Sequence, residues 1–333
     1  MKILVLAGGE SKEREVSLNT GKAIAAALKT IGHDVAMIDT KDGRDLLGAG
    51  EATETKSIPQ PNQITARRQF DLTIPQSMRD CDCVFIALHG GLGENGTLQA
   101  MFDLAKVPYT GSGVLASALA MDKERTKLIL DSVGVPSPRT VCFGDEASIF
   151  KFLGSEDADQ MDYPMVVKPN SEGSTVGLSI VKTYDDLLNG IREAAKFDRN
   201  ILVEEFIPGR ELTVAILGEE ALPVVEIVPK SGFYDYQSKY TAGASDYYCP
   251  ADIPASVEAD VKDYALTAFN VLGCSGYARV DFRLNPDNEL FCLEVNTLPG
   301  MTSTSLVPKA AKAAGLTFEQ LLSKIIDLSL KKT

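Results

Sequence analysis

Gly276-Tyr-Ala-Arg-Val-Asp-Phe-Arg-Leu284 alternates polar and apolar residues, pauses at Asn285-Pro-Asp-Asn288, and resumes the alternation in Glu289-Leu-Phe-Cys-Leu-Glu-Val-Asn296. That is the pattern of a β-hairpin. With a four-residue turn, Arg279 lies opposite Glu294 and Asp281 opposite Cys292, so Arg279, Asp281, Glu294 and Asn296 project from one face. A five-residue turn would put Asp281 and Glu294 on opposite faces. Two acids on adjacent strands of a buried sheet repel unless a cation lies between them, and oxygen ligands with an Asn carbonyl suit Mg²⁺. An exposed sheet face with an ordinary Arg–Glu pair is the plainer alternative. Mg²⁺ on one or two carboxylates completes its shell with phosphate oxygens, which raises the question of where a polyphosphate would lie.

Working outward, Lys168-Pro-Asn-Ser-Glu-Gly-Ser-Thr-Val-Gly177 joins two predicted strands and offers Gly173, Gly177 and two hydroxyls. Such a loop is able to aim backbone N–H groups at phosphate. It is not GxxxxGK[ST], which excludes a P-loop enzyme, and a plain Gly-Ser hairpin is the rival reading. Lys168 ends an apolar strand, where a lysine either meets phosphate or snorkels. From Gly91, Gly-Leu-Gly-Glu-Asn-Gly96 matches G-x-G-x-x-G in letters. It follows the third strand rather than the first, and the next strand ends in Tyr109-Thr-Gly111, without the acid a dinucleotide site requires.

The first third predicts parallel strands near 3–7, 34–39 and 83–88 with a helix over Ser17–Leu28. Residues 41–80 are polar and hold Pro59, Pro61 and Pro75, which predicts an insertion. A helix is expected from Asp122 to Val133, extended chain at Pro136 and Pro138, and a small α+β unit over 163–207 with its helix at Tyr184–Phe197. Strands near 211–217 and 223–228, a tyrosine-rich loop over 231–250 and a helix over Ala255–Leu272 follow, then the hairpin and two terminal helices. The fold class is α/β, α+β in part.

At 333 residues the chain calls for two or three domains. Its net charge of −13 disfavours nucleic acid and anionic membranes as partners. No apolar run reaches membrane-spanning length, and the short run at 3–7 is no signal peptide, so a cytoplasmic protein is expected. Two histidines, His33 and His89, exclude a multi-histidine metal centre. The six cysteines form no CxxC pair and read as reduced core residues.

The motifs Glu13-Arg-Glu-Val-Ser17, Ala87-Leu-His-Gly90, Gly96-Thr-Leu-Gln99, Pro108-Tyr-Thr-Gly-Ser-Gly113, Met121-Asp-Lys123, Glu172-Gly-Ser-Thr-Val-Gly177, Phe233-Tyr-Asp-Tyr236 with Lys239-Tyr240, and Glu294-Val-Asn-Thr-Leu-Pro-Gly-Met-Thr-Ser-Thr-Ser-Leu306 occur in this order. With them the chain resembles the D-alanine–D-alanine ligases of the ATP-grasp superfamily. The resemblance implies an N-terminal parallel α/β substrate-binding domain at 1–116, a central ATP-grasp subdomain at 117–208 and a C-terminal catalytic subdomain at 209–333. It implies ATP with two Mg²⁺ (or Mn²⁺) ions held by Asp281, Glu294 and Asn296. Two D-alanines are then joined through an acyl phosphate, for peptidoglycan precursors.

By the same resemblance Lys123 and Lys168 meet the phosphates under the loop of Glu172 and Ser174. Glu204 and the following backbone meet adenine, and Glu211 the ribose. Glu205 stands where some members carry lysine, which shifts adenine contacts toward the backbone. Glu13, with His89 close by, holds the first D-alanine's ammonium. Arg279 and the Gly300 N–H stabilise the oxyanion, and Lys239, Ser305 and the Leu306 amide take the second carboxylate. Glu13, Ser174 and Tyr240 form a hydrogen-bonded chain reaching the 231–250 loop, which acts as a lid. A homodimer is expected. Tyr240 matches members that form dipeptides rather than depsipeptides with D-lactate. A ligase of other amino acids, a D-alanine–D-lactate ligase, and a nucleotide-binding module without catalysis are the rival readings.

Overall fold

A computed structural model describes residues 1–47, 76–144, 148, 162–230 and 243–331. Most of the predicted insertion, and Lys239 and Tyr240 with their motif, lie outside these residues.

Three strands, β1 (Lys2–Ala7), β2 (Asp34–Asp39) and β3 (Cys83–Ile86), form a parallel sheet in the order β2-β1-β3. β1 is buried from Ile3 to Ala7, as a strand covered on both faces must be. Helix α1 (Arg14–Thr30) packs on this sheet through Thr20, Ile24 and Leu28. Gly21 permits the approach: a Cβ there would fall 2.6 Å from Ala7 Cβ and 2.7 Å from Met37 Cε. The short α2 (Gln76–Arg79), then α3 (Thr97–Ala105), α4 (Val114–Met121) and α5 (Lys123–Ser132) follow in sequence. Asp122 caps α5 by accepting from Arg125 N–H at 3.1 Å.

A second, antiparallel sheet joins β4 (Thr140–Phe143), β7 (Ile201–Glu205), β5 (Met165–Pro169) and β6 (Ser179–Val181), with α6 (Tyr184–Ala194) against it. It has its own core, from Phe143 and Val167 to Leu187 and Val203. The third sheet runs β11 (Ser245–Tyr248), β10 (Val225–Pro229), β8 (Arg210–Leu217), β12 (Tyr277–Leu284), β13 (Leu290–Asn296), with β9 (Glu220–Ala221) beside β8. Helix α7 (Ala255–Val271) covers one face, its Val261, Ala265 and Phe269 sharing a core with Leu212, Val214, Val280 and Phe282. The last helices, α8 (Leu306–Ala313) and α9 (Phe318–Leu330), return to the first sheet, where Leu321 and Ile325 join Leu4, Leu28 and Phe85.

Several expectations are corrected. The hairpin turn spans five residues, because Leu284 pairs with Leu290. Continued regularly, that register would set Asp281 opposite Leu293 and separate the acids. A bulge between the Phe282–Cys292 and Asp281–Glu294 pairs takes up Leu293, so Asp281 lies directly opposite Glu294 and Arg279 opposite Asn296. One extra residue on one strand restores the common face. Part of the 231–250 loop is strand: β11 pairs with the edge of β10. The helix expected to Phe197 ends at Ala194. All six cysteines are free, but only Cys83, Cys274 and Cys292 are core residues and the others are half-buried.

Replacing Gly21 by Ala sets a helix-propensity gain of ~1 kcal/mol against overpacking of ~1–3 kcal/mol. Because Ala7 Cβ cannot swing away, a net loss of ~1 kcal/mol or more is expected in urea denaturation. A stabilised variant would contradict the packing described.

Candidate active site

The face of the third sheet opposite α7 is polar because of register. β8 contributes Glu211 and Thr213, β12 contributes Arg279, Asp281 and Arg283, and β13 contributes Glu294 and Asn296, as partners across the ladder. Asp281 is buried and fully engaged. Its Oδ1 accepts from Thr213 Oγ1 at 2.6 Å and Arg279 Nε at 2.8 Å, and its Oδ2 from Arg279 Nη2 at 2.7 Å and Asn296 Nδ2 at 3.0 Å. Arg283 pairs with Glu211 at 3.5 Å and donates to the Ile207 and Gly209 carbonyls. Burial lowers the Arg283 pKa, and Glu211 opposes the shift only in part.

The second sheet forms the opposite wall, and the cleft between them is lined by Lys123, Lys168, Glu204, Glu211, Asp281 and Glu294 among others. Lys123 Nζ lies 3.4 Å from Glu294 and donates to the Glu172 carbonyl at 2.7 Å. Glu204, expected at adenine, is 2.8 Å from Lys168 on one oxygen and 2.8 Å from Lys127 on the other. Burial opposes its ionisation, and the two lysines outweigh burial, so its carboxyl stays below the ordinary value. Glu205, the next residue, is exposed at the cleft rim.

Above the cleft runs the 170–177 loop. Ser174 and Thr175 both have left-handed backbone, with φ of 50° and 63°. For a β-branched residue this is a true outlier, and such strain of ~1–3 kcal/mol per residue persists only when neighbours impose it. One such neighbour is Glu13, whose Oε1 accepts from Ser174 Oγ. The Glu13 carboxylate also packs on glycines: a Cβ would lie 2.9 Å from its Oε2 at Gly90 and 3.3 Å at Gly173. His89 is buried, its Nε2 3.2 Å from Thr20 Oγ1 and its Nδ1 4.0 Å from Glu94. At the far end Ser305 precedes α8, its hydroxyl bonded to Thr302 N–H at 3.0 Å, and a Cβ on Gly300 would lie 3.0 Å from Ser305 Oγ. The Leu306 amide opens the helix there.

Four contributors escaped the sequence reading. Lys127 lies one turn past Lys123. Thr213 holds Asp281. Asn170 accepts from Glu124 N–H and donates to Asp122 Oδ1, both at 2.9 Å, tying the loop to the start of α5. Arg14, next to Glu13, pairs with Asp39, which also accepts from Gly9 and Lys41 N–H groups at 3.2 and 3.0 Å.

Asp281, Glu294 and Asn296 suit a hard cation by donor type, with Asn296 keeping Oδ1 while its Nδ2 goes to Asp281, and an ion on Asp281 would displace one of the four donors that now engage it. Among the described residues no three His, Cys, Asp or Glu side chains gather as a metal site. Any ion here would therefore depend on phosphate oxygens too. Among the same residues no helix is long and apolar enough to cross a membrane.

Comparison with known proteins shows the family. The family described as D-ala D-ala ligase N-terminus matches residues 2–112, and D-ala D-ala ligase C-terminus matches 129–327. A D-alanine–D-alanine ligase of Halalkalibacterium halodurans is 46% identical over 100% of both chains, and one of Syntrophotalea carbinolica is 46% identical over 99% of this chain and 97% of its own. The solved Bacillus anthracis D-alanine–D-alanine ligase complexed with ATP superposes with a TM-score of 0.78 at 30% identity, covering 100% of this chain and 98% of that one. VanG D-Ala:D-Ser ligase of Enterococcus faecalis gives 0.80 at 34%, over 98% and 99%. The chain belongs to the D-alanine–D-alanine ligase family, and its fold is the ATP-grasp fold.

The hydrogen bonds from Arg14 outweigh burial and lower the Asp39 pKa from 3.8 to about 2. A depressed folded value means stability that is complete above 3.8 and lost as pH falls toward 2. Asp39→Asn should therefore be less stable at neutral pH and lose less on acidification. Parallel stability–pH curves for variant and parent would contradict this.

Proposed function

We propose that this chain joins two D-alanines into D-alanyl-D-alanine at the expense of ATP. The observation that carries the reading is the meeting, in one cleft, of Lys123 and Lys168 with the Asp281–Glu294 pair, under a loop bonded to Glu13. In this reading residues 1–116 hold the first substrate, and 117–208 and 209–333 supply the two walls.

Glu13 receives the ammonium of the first D-alanine, which leaves its carboxylate toward the cleft. A carboxylate oxygen attacks the γ-phosphorus, the bond to the β,γ-bridging oxygen breaks, and ADP departs with that electron pair. Lys123 and Lys168 balance the phosphate charge, the backbone following Glu204 and the Glu205 side chain lie toward adenine, and Glu211 takes the ribose. Asp281, Glu294 and Asn296 would hold Mg²⁺ or Mn²⁺, which would neutralise part of the polyphosphate charge. The neutral amine of the second D-alanine, its carboxylate on Lys239, Ser305 and the Leu306 amide, attacks the acyl carbon. Arg279 and the Gly300 N–H stabilise the oxyanion; one such donor is worth ~2.7–4 kcal/mol. Phosphate leaves and takes up the proton that the new amide nitrogen gives up. By the resemblance, Tyr240 would extend the Glu13–Ser174 chain toward a lid that keeps water from the acyl phosphate. The setting is the cytoplasm and the assembly a homodimer, both supported by the resemblance alone.

Phosphate release with D-alanine alone should exceed release with L-alanine, and adding D-lactate or D-serine should not divert the product. No release with D-alanine alone would refute the reading. Glu13→Gln should raise the KM for the first D-alanine by ~10-fold or more, as for a lost charged hydrogen bond, with little change for ATP. Equal effects on both substrates would remove Glu13 from that role.

A further inference from the structure

Lys127 lies behind the cleft, outside its lining, whereas Lys123, Lys168 and Glu204 face it. The i, i+4 spacing sets Lys123 and Lys127 on one face of α5. Lys123 reaches Glu294 on β13 at 3.4 Å, and Lys127 reaches Glu204 on β7 at 2.8 Å, so one helix grips an acid from each wall. Glu204 is 2% exposed, Lys127 5% and Lys168 9%. The Lys127 ammonium is held against Glu204 at 2.8 Å by charge and hydrogen bonding together. A buried ion stripped of its partner is strongly disfavoured. Glu204 has two charged partners, one facing the cleft and one behind it, and also accepts from Thr140 Oγ1 at 3.4 Å. Asn170, bonded to both Asp122 and Glu124, fixes this helix to the glycine-rich loop.

We infer that Lys127 is a positioning residue for nucleotide binding: it holds the charge of Glu204 from behind, so that Lys168 is able to exchange Glu204 for a phosphate oxygen. Were Lys168 the sole counter-ion, its move to phosphate would leave a buried carboxylate uncompensated. Glu204 then serves the nucleotide through Lys168. This rests on reading the cleft as the nucleotide site.

The test compares the parent with Lys127→Arg, Lys127→Met and Lys127→Met/Glu204→Gln, reading ADP affinity by calorimetry with Mg²⁺ present and the KM for ATP and D-alanine. Lys127→Met should weaken ADP and raise the KM for ATP by ~10-fold or more, with the KM for D-alanine within about twofold. Lys127→Arg should keep most of the affinity, and adding Glu204→Gln to Lys127→Met should recover it, because a neutral amide needs no counter-ion. Unchanged ADP affinity in Lys127→Met, equal losses for both substrates, or a double variant weaker than Lys127→Met would each overturn the inference. A parent protein that binds ADP yet releases no phosphate with D-alanine would instead refute the ligase reading.

Discussion

A carboxylate taken out of water stays ionised only beside a cation, and Glu204, Asp281 and Glu294 converge from two sheets on one cleft. Each is answered by a named partner: Lys127 and Lys168 for Glu204, Arg279 for Asp281, Lys123 for Glu294. Cations outnumber acids in this set, although the whole chain carries −13. The cleft lining itself is acidic, with Glu172, Glu204, Glu205, Glu211, Asp281 and Glu294 against Lys123, Lys168 and Arg283, so a polyanion there calls for a divalent cation beside it. Buried pairs add little net stability. In the proposed reading their use is to hold Lys123 and Lys168 where a polyphosphate would meet them.

The folding pattern delivers these groups from distant parts of the chain. Register within β8, β12 and β13 sorts Leu212, Val214, Val280 and Phe282 to the α7 side and Glu211, Thr213, Asp281 and Glu294 to the cleft. Helix α5 spans the gap between sheets with two lysines one turn apart. The N-terminal sheet contributes through the loop after β1, where the Arg14–Asp39 pair fixes the start of α1 beside Glu13. Return of α9 to the first sheet packs the end of the chain against its beginning, while the 170–177 loop reaches Glu13 through the Ser174 hydroxyl.

Strong local periodicity made much of this legible. The parallel strands, α1, α5, the hairpin and the common face of Asp281 and Glu294 follow from apolar spacing and turn residues. The common face was reached through a wrong register, since no local signal in Phe291-Cys-Leu-Glu294 announces a bulge, and only the bulge offsets the longer turn. Helix α4 was missed because Val114-Leu-Ala-Ser-Ala-Leu-Ala-Met121 is apolar nearly all round and carries no amphipathic stripe. Lys127, on a polar-looking helix, resembles any surface lysine until Glu204 arrives from a strand 77 residues away. The β11 strand hides in polar sequence because at this sheet edge the alternating buried side falls on Ser245 and Tyr247 rather than on aliphatic residues. Motif resemblance, by contrast, named the family directly.

The most direct measurement is a crystal structure of the protein with ADP and Mg²⁺. The account predicts the diphosphate within hydrogen-bond reach of Lys123 and Lys168, Asp281 and Glu294 turned toward it, and Lys127 still against Glu204. Nucleotide bound elsewhere, or those two carboxylates pointing away from it, would contradict the account.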